Sequence, residues 1–254
     1  MTRWLNHLCN ECLRKLYLMR RYWFEALLSL GLVLFLFGGL VFAVLSVSGA
    51  TLESGDLDGM IVGFALWLFA NMAIGGAMGD VSEETEQRTL EQICLSPLSL
   101  EALLGVRALL QLAGGLLLLV LTLMVIEVLT DGRLQMQYLP TLGAALLAAP
   151  ALMGVGFALA GVALLAKKGE VIQVVTFPLL LGLLALPAFP INALAWLPFA
   201  LGAAAARASA AGAMLGPDVF AFISLNAAGY LAAGLIIFRK LEQRARKLGV
   251  LGHF

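Results

Sequence analysis

The sequence predicts an all-α, polytopic membrane protein with six transmembrane helices in a single transmembrane domain, 1–254. Three observations carry that expectation. Hydrophobic residues make up 61% of the chain and charged residues only 13%, with a mean hydropathy of +0.97, whereas soluble domains hold about a quarter charged residues. Charge-free stretches recur at roughly 20 residues, the length an α-helix rising about 1.5 Å per residue needs to cross a hydrocarbon core of about 30 Å. The basic residues also segregate to one side of those stretches.

The chain opens with a helical leader over 1–22. Trp4, Leu5, Leu8, Cys12, Leu16 and Met19 recur at helical spacing while Arg3, Glu11, Arg14, Lys15 and Arg20 take other faces. That pattern suits an amphipathic helix on the inner membrane surface with its basic side toward anionic lipid; a disordered basic leader is the plainer alternative. No signal peptide is expected, because a long charged stretch precedes the apolar run and no small-residue cleavage site follows. The first span runs from about Phe24 to Ser48, the second from Gly59 to Gly79 and the third from Ala108 to Ile126. A fourth lies within Leu139–Ala166 and ends at Lys167-Lys168, a fifth runs from Val171 to about Pro190, and the last covers Val219–Phe238 before a basic tail, 239–254.

The stretch Asn192–Pro217 is nearly uncharged and almost long enough to cross, yet Pro187 and Pro190 precede it and it holds Pro198, Arg207 and Pro217. Charge parity decides its reading. With both termini cytosolic, every Lys and Arg except Arg133 and Arg207 falls inside, as the positive-inside rule requires. A further crossing would throw Arg239, Lys240, Arg244, Arg246 and Lys247 outside, so 192–217 is expected to form short helices in the outer leaflet, with backbone at that depth buried in protein.

Between the second and third spans lies the most polar run, Asp80 to Ser99. Asp80 with Glu83, and Thr89 with Gln92, each place a cap residue and a reciprocating acid or amide three apart, which predicts short capped helices. Ser96-Pro97 pairs an N-cap residue with proline at the first helical position and predicts a new helix running into the third span. Glu83, Glu84 and Glu86 crowd a first turn that the helix dipole favours. A solvated acidic face is the plain reading; against it, Leu90, Ile93 and Leu95 offer an apolar stripe that suits a partner.

Several classes find no support. The chain holds no GxSxG elbow, no HExxH, no carboxylate pair inside a span and no GxxxxGK[ST] phosphate loop, so neither catalysis nor nucleotide binding by this chain is expected. Cys9 and Cys12 form a CxxC near His7, but no second cytosolic pair completes a zinc set. Cys94 has no histidine beside it. Proton coupling is disfavoured because Glu25 and Glu127 only mark span ends, while ionisable groups at depth are kept for use. Any ATP would be hydrolysed by another subunit.

At these residues the chain resembles type-2 ATP-binding cassette (ABC) exporter permeases, which carry a pattern close to E-x-E-x-G-T-L-E-x-L-x-x-[ST]-P-[LV]-S after their second span. Glu84, Glu86, Thr89, Leu90, Glu91, Ile93, Ser96, Pro97, Leu98 and Ser99 fall on it. Pro198 and Arg207 keep the spacing of that family's N-P-x8-R stretch, and Phe238 to Ala245 is similar to its F-R-R-x-E-R-x-A ending. Arg88 stands where the family has glycine, and Leu197 where it has asparagine. The resemblance implies an elbow helix before the first span, a cytosolic coupling segment at 80–100, and short outer helices before the sixth span. It further implies two permease subunits, identical or sibling, each docked on a separate ATPase subunit that carries ATP and magnesium.

The contact residues so implied are Glu84, Glu86, Leu90, Glu91, Leu95, Pro97 and Leu98, with Thr89 and Ser96 as caps. A dimer-interface path for amphipathic or lipid-like cargo is expected along Phe64, Trp67, Asn71 and Phe177, although such aromatics also serve lipid contact and packing. This chain is expected to bind no cofactor, metal or nucleic acid, to contact membrane lipids, and to reside in the plasma (inner) membrane. Two other readings stay open: a haem-exporter-type membrane subunit of cytochrome c maturation, to which Thr89-Leu90-Glu91 and Pro198-Phe199-Ala200 are similar, and a non-transporting scaffold. With Cys9, Cys12 and Cys94 replaced, a single cysteine at Glu86 should react with an impermeant maleimide only in inside-out vesicles, and labelling from outside intact cells would overturn this topology.

Overall fold

The computed structural model describes residues 2–24, 27–28, 31–32, 35, 38–39, 56–87, 89–90, 93, 99–129, 137–166 and 169–248. Among them every regular element is helical and none is a strand. The helices are α1 (Thr2–Arg21), α2 (Asp56–Glu86), α3 (Leu100–Leu129), α4 (Tyr138–Ala166), α5 (Gly169–Ala185), a 3-10 turn (Ala193–Trp196), α6 (Ala200–Ala210) and α7 (Pro217–Lys247). Two compact units divide the chain, 1–57 and 58–254.

In the first unit, α1 forms over the leader and carries an Arg14–Glu11 ion pair at 3.2 Å, one turn apart. The span expected over Phe24–Ser48 lies for the most part outside the described residues. In the second unit, α2, α3, α4 and α7 are long and apolar enough to cross a membrane. This is the arrangement of a multi-pass membrane protein. The fifth expected span is shorter than read: α5 stops at Ala185 and not near Pro190. Pro187 disfavours helical backbone in the residue before it, and the chain closes with Leu186 N–H on the Leu183 carbonyl, 3.4 Å.

At the centre of the second unit stands α4, buried on several faces from Thr141 to Leu164. Lipid tails are as apolar as leucine, so helices in a membrane gain little from hiding apolar surface and associate through close packing instead. Glycine supplies the room. A Cβ added to Gly234 of α7 would lie 1.9 Å from the Gly154 carbonyl oxygen of α4, and one on Gly156 would lie 2.3 Å from the Ile74 carbonyl oxygen of α2. Backbone therefore meets backbone on two sides of α4.

The segment 192–217 does contain short helices. Asn192 caps the 3-10 turn by accepting from Leu194 N–H at 2.9 Å, and α6 is rich in alanine, with Ala200–Ala206 buried. Arg207 at its end donates to the Leu186 carbonyl at 3.1 Å, satisfying a carbonyl left over where α5 stops. Pro217 at the first turn and Asp218 beside it start α7, as proline's fixed φ and the helix dipole favour. That helix does not end with the apolar run at Phe238 but continues to Lys247, so the basic tail begins as its helical extension.

Gly234→Ala should lower stability by about 1–3 kcal/mol or more, the cost of overpacking a tight core. Gly229→Ala, on an exposed face of the same helix with nothing within 4 Å of the added carbon, should be neutral or slightly stabilising through helix propensity. Thermal denaturation in detergent reads both.

Candidate functional site

The polar run that follows the second span is where the sequence places its strongest signal, and the structure builds it differently from the expectation. α2 does not stop for an Asp80 cap. It continues to Glu86, with Ser82 and Thr85 hydroxyls donating back to the Met78 and Val81 carbonyls at 3.0 and 2.7 Å. Those bonds occupy hydroxyls that could otherwise have opened a turn. Glu83 and Gln87 then close the last turn, Gln87 Nε2 donating to Glu83 Oε1 at 3.0 Å.

Thr89 ends one helix and begins another. Its N–H donates to the Glu84 carbonyl at 3.0 Å, its hydroxyl donates to the Glu84 carboxylate, and its own carbonyl accepts from Ile93 N–H at 3.2 Å, the first bond of a following turn. The helix entering the third span is described from Leu100; the start expected at Ser96-Pro97 lies outside the described residues. Ser99 is its cap, accepting from Ala102 N–H at 3.3 Å. Of the contact residues expected here, Glu91, Leu95, Ser96, Pro97 and Leu98 lie outside the described residues, as does Arg88.

Two expected contact residues turn inward. Leu90 is 1% exposed and belongs to a core cluster with Leu100 and Leu104 of α3, Phe157 and Leu164 of α4, and Phe238 of α7; Ile93 packs against the same cluster. The apolar stripe read as a partner surface is thus spent, at these two positions, on the chain's own core. Glu84 is also buried, and its Oε1 accepts from Arg107 Nη1 at 2.7 Å. Glu86 and Glu83 remain exposed.

Arg107 is a residue whose role the local sequence does not disclose, because its partner sits 23 positions away. The same holds for Glu101 and Arg239, which form a two-point ion pair at 2.5 and 2.8 Å across 138 positions and join α3 to α7. The ends of four helices and the segment after α2 are therefore fastened together by one apolar cluster and two ion pairs.

The residues read as a substrate path partly converge. Trp67 lies edge-on to Phe177 with ring centroids 4.5 Å apart, and Phe64 stacks on Trp67 at 5.8 Å, so α2 and α5 share an aromatic cluster. Asn71 Nδ2 donates to the Trp67 carbonyl at 2.8 Å, and the Trp67 indole N–H is buried without an acceptor among the described residues. A separate apolar cleft of about 540 Å³ opens between α4 and α5, lined by Ile74, Leu152, Val155, Leu159, Val175 and Leu180 among others; none of Phe64, Trp67, Asn71 or Phe177 lines it.

Among the described residues no group of three or more His, Cys, Asp or Glu could hold a metal ion, and Cys9 and Cys12 are free thiols. Comparison with family models, with curated proteins and with solved structures finds no match to this chain.

A double-mutant cycle on Glu84→Gln and Arg107→Gln should return a coupling of about 1–3 kcal/mol, as for other contacting residues in one network. Additive losses in denaturation midpoint would show that the two side chains do not support each other.

Proposed function

We propose that this chain is the transmembrane permease subunit of an ABC exporter, driven by ATP that a separate ATPase subunit hydrolyses. The observation that supports the reading most is the anchoring of the segment after α2. Its apolar residues Leu90 and Ile93 sit in the cluster where α3, α4 and α7 meet, so a force on this segment is delivered to several spans at once. A partner's closure can bias a membrane domain only through contacts that differ between two states, and a segment fixed at both ends transmits such a difference where a slack linker would absorb it.

In this reading the expected contact set divides by role. Exposed Glu86 faces the ATPase, together with Glu91, Leu95, Pro97 and Leu98. Glu84, Thr89 and Leu90 are positioning residues: Glu84 ties the end of α2 to Arg107 on α3, Thr89 closes the turn onto Glu84, and Leu90 seats the segment in the core. Two permease copies, or this chain and a sibling, would pair in the plasma membrane with both termini and the 80–100 segment cytosolic. There α1 serves as the elbow helix on the inner surface, α5 completes a span, and α6 with the 3-10 turn lies toward the outer leaflet. The apolar walls of the α4–α5 cleft and the Trp67–Phe177 cluster suit an amphipathic or lipid-like cargo.

Affinity purification of the tagged chain from its native membrane should co-purify a nucleotide hydrolase of ABC type. In that complex Glu86→Arg should leave the spans folded while cutting transport about tenfold, roughly 1.4 kcal/mol of coupling. A preparation free of any nucleotide hydrolase, or full transport by the variant, would count against the proposal.

A further inference from the structure

A second cleft, of about 370 Å³, lies at the end of the bundle between α3 and α7, with α4 as its floor. One end is apolar, walled by Leu109, Met153, Phe157, Leu231 and Leu235; the other holds Ser99, Glu101 and Arg239. Along α7 this order follows the chain: Leu231 and Leu235 belong to the apolar run, and Arg239 is the first charged residue after it. Along α3, Leu109 lies inside the expected span and Glu101 before it. The cleft is therefore amphipathic along the helices, apolar beside the apolar runs and charged just beyond their ends.

We propose that this cleft is a binding site for one phospholipid whose head carries both a phosphate and a primary ammonium group, phosphatidylethanolamine being the simplest. Charge complementarity names the class. The polar end carries one carboxylate and one guanidinium, so a purely anionic head would meet Glu101 as well as Arg239. Arg239 Nε and Nη2 are engaged by Glu101, so a zwitterionic head docks on the pair as it stands, its phosphate accepting from the remaining guanidinium N–H groups and its ammonium donating to the outer lone pairs of the Glu101 carboxylate. Arg239 is accessible for this, its side chain 60% exposed, while Glu101 at 19% is held against the helices. A quaternary ammonium has no N–H to donate to Glu101, so a choline head fits less well. Acyl chains lie along the leucines, and Gly105 leaves the space between: a Cβ there would meet nothing within 4 Å. The site joins α3 to α7 beside the cluster that holds Leu90, and a lipid seated in it would brace that junction.

The full chain, purified and delipidated, would be mixed with phosphatidylethanolamine, phosphatidylcholine or phosphatidylglycerol at equal concentration and examined by native mass spectrometry. The expected result is retention of phosphatidylethanolamine at about tenfold higher affinity than the other two. Gly105→Leu fills the cleft while leaving the Glu101–Arg239 pair in place and should abolish that preference; Arg239→Gln should reduce retention of the phosphate head. Equal retention of all three lipids by the wild-type chain, or undiminished phosphatidylethanolamine binding by Gly105→Leu, would overturn the assignment. Neither outcome bears on whether an ATPase co-purifies.

Discussion

Close backbone contact around α4 is the constraint on which this structure rests. Water-soluble helices are driven together by burying apolar stripes, but in a bilayer the alternative to protein contact is equally apolar lipid. What remains is dispersion between closely fitted surfaces, and that falls away steeply with a gap of less than an ångström. Gly154 and Gly234 bring α4 and α7 together at backbone distance, Gly156 does the same for α4 and α2, and Gly202 lets α6 settle on Ala148. The alanines of α6 belong to the same solution, since a helix with little side chain can lie deep in a core without leaving carbonyls exposed to lipid.

The charged groups obey a second constraint. A lone charge away from water is strongly disfavoured, and at three helix junctions charged groups pair with a partner on another helix or turn onto backbone carbonyls. Glu84 meets Arg107, Glu101 meets Arg239, and Arg207 donates to the carbonyls of Ala203 and Leu186. Each pairing also fixes a junction: α2 to α3, α3 to α7, α6 to the end of α5. Breaking a buried pair by removing one partner is far more damaging than the pair's net contribution suggests, which makes Glu84 and Arg107 fasteners of geometry more than sources of stability.

Fastening has a mechanical meaning for the proposed permease. The segment after α2 is held by Leu90 and Ile93 from within and by Thr89 from behind, leaving Glu83 and Glu86 outward. A coupling element needs both halves, an exposed surface for the ATPase and an unyielding root in the spans. Several residues that a motif assigns to contact are in this chain part of the root, so a substitution at Leu90 tests folding as much as communication, whereas Glu86 tests communication alone.

Composition and spacing determined the solvent, the helical class and the approximate limits of α2, α3, α4 and α7, because a bilayer imposes a length and a polarity that any such sequence must show locally. Charge parity also gave short helices over 192–217, and Trp67 and Phe177, read as lining one path, are in ring contact. A helix end was legible where charge closes the apolar run, as at Ala166 before Lys167-Lys168. Tertiary structure decided the rest. That Glu84 and Leu90 face inward depends on partners far along the chain: Arg107 for Glu84, the α4 and α7 side chains for Leu90. A linear sequence states which groups are polar or apolar, but which of them meet is set by packing in three dimensions.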